Sequence, residues 1–62
     1  MIEVFTMLVS WSYYNDDFVK FVYDNDKVLF VPKNDFNRAF GTLIQLSYDE
    51  VKREYDVVEN LS

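Results

Sequence analysis

Asp24 and Asp26 frame the stretch "DND" (24–26), and carboxylates alternating in this way open a calcium-binding loop. The glycine that such a loop needs for its sharp turn is missing, as is the glutamate that closes it, so the stretch reads as a solvated turn. Asp16 and Asp17 read the same way. The chain holds no histidine and no cysteine, which leaves neither zinc ligands nor any nucleophile and base beyond weak Ser and Lys combinations. Two carboxylates can divide acid and base roles only if one is desolvated, and 62 residues leave little room for such a pocket. A single glycine rules out a glycine-rich phosphate loop. The chain is read as a non-enzyme that uses no cofactor and no metal.

What remains is twelve aromatic residues, 19% of the chain, and eleven acids, a composition suited to gripping another protein. The stretch "NDFNRAFG" (34–41) places Phe36, Ala39 and Phe40 on one face of a short helix, spaced i, i+3, i+4. A helix this short forms only by burying something, and on the residues alone both rings read as core. Phe5, Trp11, Phe18, Phe21 and Phe30 lie in β-type runs and read as core or dimer interface.

The elements that must position these rings follow from residue type. Residues 2 to 14 favour a pleated surface and end at the turn signal "NDD" (15–17), giving a first strand. "FVKFVY" and "KVLFV", separated by "DND", make residues 18 to 31 either a hairpin or one long bulged strand. Pro32 stops the sheet, Asn34 is placed to cap the helix, Asp35 sits in its first turn, and Gly41 is placed to close it in the left-handed conformation. "TLIQLSY" (42–48) reads as a further strand. A capping-box pattern at Ser47 and Glu50, with Val51, Tyr55, Val58 and Leu61 in one stripe, predicts a C-terminal helix over about 49–60, unless the last strand runs on to residue 52. The fold class expected is α+β: one domain over 1–62, with a small antiparallel sheet of three to four strands, a short helix and the C-terminal helix.

A domain of 62 residues buries only about 60% of its unfolded surface, and this one has neither disulfides nor zinc to staple it. Its aromatic content exceeds what one sheet and one helix cover, so a homodimer is expected. The net charge of −5 opposes nucleic acid and anionic membranes as partners. "VFTMLVSW" (4–11) is too short to span a bilayer and lacks the flanks of a signal peptide, which points to the cytosol.

"NDFNRAFG" followed by "LIQLSYDEV" resembles the small uracil-DNA glycosylase inhibitors of short-tailed bacteriophages. The shared pattern is Asp-Phe, an aromatic-Gly pair, then aliphatic residues alternating with polar ones into Asp-x-Val. Asp35, Phe36, Phe40, Gly41, Leu43, Ile44, Leu46, Asp49 and Val51 carry it here, and "TML" (6–8) adds a weak likeness to that family's first strand. Asn37 stands where the family has an acid, the loop after Gly41 is shorter, and residues 52–62 form an extra tail. The resemblance implies a homodimer with a three-stranded antiparallel sheet and one helix per subunit, acting as a DNA mimic on host uracil-DNA glycosylase in the bacterial cytosol. Such enzymes flip a nucleotide out and push an apolar loop residue into the stack. It implies that the paired helices of the dimer present an apolar socket for that residue, lined by Phe36 and Phe40 and flanked by acids that stand where DNA phosphates would lie, with Asp35 and Asn37 among the partner contacts. The alternative is an acidic phage protein that binds another host factor, such as a polymerase subunit or a nuclease.

Overall fold

The computed structural model describes residues 5–61. Three strands, β1 (Leu8–Tyr13), β2 (Phe18–Tyr23) and β3 (Val28–Pro32), precede two helices, α1 (Lys33–Leu43) and α2 (Tyr48–Glu54). The sheet is antiparallel in the order β1-β2-β3, so the expected α+β class holds.

Of the two readings left open for residues 18 to 31, the hairpin forms. Asp26 takes a left-handed φ of 65°, which Asp tolerates better than most residues, and the Asn25 side chain accepts the Lys27 N–H at 3.1 Å. Across the other turn, Asn15 Oδ1 accepts from the N–H groups of both Asp17 and Phe18 at 2.8 Å. Both acidic stretches therefore sit in turns. The first strand is shorter than residues 2 to 14: residues 5–7 and Tyr14 lie outside it, and residues 2–4 fall outside the described residues.

Alternation decides which side chains face the helices. Val19, Phe21 and Tyr23 are buried while Phe18, Lys20 and Val22 are half-buried on the other face. Leu29 and Val31 continue the inner layer, and Phe36, Leu43, Tyr48 and Val51 close it from the helices. Burial pushes the Tyr23 phenol well above its ordinary pKa, with the neighbouring Tyr48 adding to the shift.

Helix α1 departs from expectation at both ends. Pro32, with φ −53° and ψ 131°, takes the N-cap position, and Asn34 lies inside the helix and caps nothing. The Lys33 N–H donates to the Asp17 carbonyl at 2.9 Å, so the first free donor is satisfied by the β1–β2 turn. Asp35 lies in the first turn as expected. Gly41 does not close the helix with a positive φ. The helix kinks at Ala39 (φ −126°, ψ 30°) and runs through Gly41 to Leu43.

The strand expected over 42–48 does not form. Leu43, fully buried, anchors the end of α1 in the core, and tight turns bonding Gln45 to Thr42 and Leu46 to Leu43 lead to Ser47. The capping box forms as read: the Ser47 hydroxyl accepts the Glu50 N–H at 3.4 Å and the Glu50 carboxylate accepts the Ser47 N–H at 2.9 Å. Helix α2 then stops at Glu54, short of residue 60. Two consecutive β-branched valines favour extended backbone, and Val58 exchanges both backbone hydrogen bonds with Phe30 on the outer edge of β3, at 2.8 and 2.9 Å. Glu59 fastens this segment to α2 through an ion pair with Lys52 and a hydrogen bond from the Tyr48 hydroxyl at 3.1 Å.

Candidate protein-binding surface

Helix α1 packs over β2 and β3, which leaves the inner face of β1 partly uncovered. Cross-strand pairing of Trp11 with Phe21 and of Tyr13 with Val19 sends both β1 rings to that inner face. From the helix, the rings of Phe36 and Phe40 reach toward them. Trp11 stands 4.7 Å from Phe36 and 5.6 Å from Phe40 between ring centroids, and Tyr13 stands 5.8 Å from Trp11 and 5.9 Å from Phe36. Most of these contacts are edge to face, the arrangement aromatic quadrupoles prefer.

Exposure separates the members. Phe36 is 3% exposed and forms the floor, with Phe21 beneath it at 5.9 Å. Phe40, Trp11 and Tyr13 are 39%, 38% and 58% exposed and form an open rim. The kink at Ala39 falls between the buried ring and the exposed one, which lie 5.1 Å apart. Contiguous apolar patches exposed on a soluble domain are candidates for interaction sites, which makes this rim the candidate surface here.

The polar surroundings are mixed. Asp35 is ion-paired with Arg38 one turn on, so part of its charge is already balanced, and Asn37 is exposed. The Lys33 ammonium lies 5.2 Å from the centre of the Tyr13 ring, and Lys33 also lines a shallow polar hollow of about 100 Å³ with Asp16, Asp17, Pro32 and Asn34. Aromatic rim, ammonium and two carboxylates thus follow one another along this side of the molecule. Among the described residues no group of three or more acids is placed to hold a metal ion. No helix there is long and apolar enough to cross a membrane.

The four residues expected at the site are Asp35, Phe36, Asn37 and Phe40, and α1 carries them all. Trp11, whose place in a β-type run reads as core or dimer interface, and Tyr13, which reads as part of the first strand, join them from β1. The signal for them was present in "LVSWSY", where serines alternate with rings and no charge appears. Set against protein-family models, curated proteins and solved structures, the chain has no match in any of the three comparisons.

Proposed function

We propose that this chain works by binding another protein, that the partner is a uracil-DNA glycosylase of a bacterial host, and that two copies of the chain act together. The open rim formed by Trp11, Tyr13 and Phe40 carries the reading. A chain of net charge −5 has no use for that rim on DNA, whereas an apolar loop residue of a protein partner fits between such rings. The loop residue that a glycosylase pushes into the DNA stack is a partner of that chemistry. Asp16, Asp17 and Asp35 would then face the enzyme's phosphate-binding groups. The resemblance of residues 35–51 to phage inhibitors is what selects this enzyme, and within it α1 supports the likeness at Asp35, Phe36 and Phe40.

The same resemblance expects a strand after the helix, and residues 42–48 form none. That departure favours a second reading, in which the rim binds a different host factor such as a polymerase subunit or a nuclease. Adding the purified chain to a uracil-excision assay with a bacterial glycosylase tests the first reading directly. Stoichiometric loss of excision is expected. Full excision at a large excess of the chain would overturn it, and capture from bacterial lysate read by mass spectrometry would then identify the other partner.

A further inference from the structure

The two edges of the sheet are treated differently. The outer edge of β3 is covered at Phe30 by Val58, through two short backbone hydrogen bonds. The outer edge of β1 carries no such cover among the described residues, and five of the six residues of β1 are exposed. Strands left at an edge usually carry lysine, proline or an inward charge that deters pairing. β1 carries none of these, in a chain where 27% of residues are charged, and its one irregularity that could blunt the edge lies between Leu8 and Ser10, at the start of the strand.

The direction of the free backbone groups follows from the ladder. The Tyr14 N–H donates to the Phe18 carbonyl at 3.0 Å, so in this antiparallel pair Tyr14, Ser12 and Ser10 bond toward β2. Trp11 and Tyr13 alternate with them and direct their N–H and C=O groups away from the sheet. The register shifts between Leu8 and Ser10, which takes Val9 out of the regular ladder. The regular edge is therefore Ser10 to Tyr14, with Ser12 at its centre.

We infer that this edge pairs with β1 of a second copy, antiparallel, about a two-fold axis beside Ser12. The inference rests on the dimer of the proposed function and specifies its interface. Symmetry restricts the choice: a two-fold that joins antiparallel strands stands perpendicular to the sheet, sets one residue against itself and keeps both helix layers on the same side. With Ser12 on the axis, Trp11 and Tyr13 of one copy exchange four backbone hydrogen bonds with Tyr13 and Trp11 of the other. The acidic turn at 15–17 then runs past residues 7–9 of the second copy, which carry no charge, so like charges do not meet.

The pairing also completes the binding surface. Each α1 lies over β2 and β3 of its own sheet, so the two adjacent β1 strands, about 4.8 Å apart, become the floor of one groove. Trp11 and Tyr13 from both copies pave that floor, and Phe40 from each copy stands at its sides. A single copy holds half of this site.

The chain has no cysteine, so one introduced thiol reports the interface alone. In Ser12→Cys the two thiols face each other at the closer, non-hydrogen-bonded type of position, about 4.5 Å between Cα atoms, within reach of a disulfide. Oxidised glutathione should convert most of the chains to a covalent dimer. Ser10→Cys, displaced from its own mate by about 13 Å along the strand, should remain uncrosslinked. Ser12→Lys, whose side chain is exposed, should keep the far-ultraviolet circular dichroism and raise the dimer dissociation constant about fivefold or more. A wild-type dimer in which Ser12→Cys fails to crosslink and Ser12→Lys still pairs would overturn the edge pairing while leaving glycosylase inhibition standing. Wild-type chain that sediments as a monomer at micromolar concentration would overturn the pairing as well.

Discussion

The Trp11 indole lies 4.7 Å from the ring of Phe36, tilted by 54°, yet Trp11 is 38% exposed and Phe36 only 3%. One contact joins the hydrophobic core to the open rim. The two residues must therefore respond differently to substitution.

Phe36→Ala should unfold much of the protein. Emptying a buried phenylalanine site costs about 3–5 kcal/mol, and a small domain has a total stability of only about 5 kcal/mol or less. Urea denaturation followed by circular dichroism should show a midpoint shifted far toward zero. Retention of the wild-type midpoint would mean that Phe36 does not seat the helix on the sheet.

Phe40→Ala and Trp11→Ala should keep the fold and lose the partner. Both rings are more than one-third exposed, so less apolar area leaves the core, whereas an aromatic anchor of an interface commonly contributes about 2 kcal/mol or more. Inhibition of the glycosylase should weaken about 30-fold or more for each variant. Equal inhibition by wild type and both variants would place the binding surface elsewhere.

Gly41→Ala should stabilise the protein by about 0.5–1 kcal/mol. The residue sits inside α1 without a positive φ, and nothing lies within 4 Å of where a Cβ would stand, so alanine adds helix propensity without a clash. A rise in Tm checks it. A fall would mean that this position needs the left-handed conformation its residue type first suggested.

Local chemistry was legible in the sequence where it was self-contained. The capping box at Ser47 and Glu50 and the turns at Asn15 and at Asn25–Asp26 all depend on side chains bonding backbone within three residues, and Asp35 in the first helical turn depends only on its position. Residues 42–48 misled because "TLIQLSY" alternates like a strand, while its fate depends on where Leu43 is buried and on which edge of the sheet stays open. Val58 takes the edge of β3, and no local pattern announces that. The binding rim was half legible for the same reason. Phe36 and Phe40 follow from helical spacing, but Trp11 and Tyr13 join them only through pairing with Phe21 and Val19.

Acid should loosen the C-terminal part first. The Ser47 backbone N–H, then the Ser47 hydroxyl, hold the Glu50 carboxyl below its ordinary value, and Lys52 followed by the Tyr48 hydroxyl do the same for Glu59. Depressed carboxyls bind fewer protons folded than unfolded, so their contribution is fully present above the ordinary value of 4.5 and is lost as pH falls through the folded values. Hydrogen exchange at the Val58 N–H should therefore quicken, relative to the β2 amides, below pH 4.5. Glu50→Gln combined with Glu59→Gln should flatten that dependence, and Ser47→Ala should cost about 1 kcal/mol above pH 4.5 and less in acid, where Glu50 is protonated. An unchanged acid response in the double variant would assign the loss to other carboxyls.

Salt should separate the two forces in the complex with the glycosylase. DNA loses affinity for such an enzyme steeply as salt rises, because each neutralised phosphate releases counterions. A folded chain of net charge −5 carries no comparable condensed ion atmosphere, so its carboxylates mainly speed encounter while the aromatic rim sets the lifetime of the complex. Raising salt from about 50 to about 500 mM, well past the range in which exposed charges act over a distance, should slow association several-fold and leave dissociation nearly unchanged. Phe40→Ala and Trp11→Ala should speed dissociation at every salt concentration, and surface plasmon resonance reads both rates. If dissociation proves as salt-sensitive as association, with both variants behaving like wild type, the complex is held by charge mimicry and the rim of Trp11, Tyr13 and Phe40 is not its anchor.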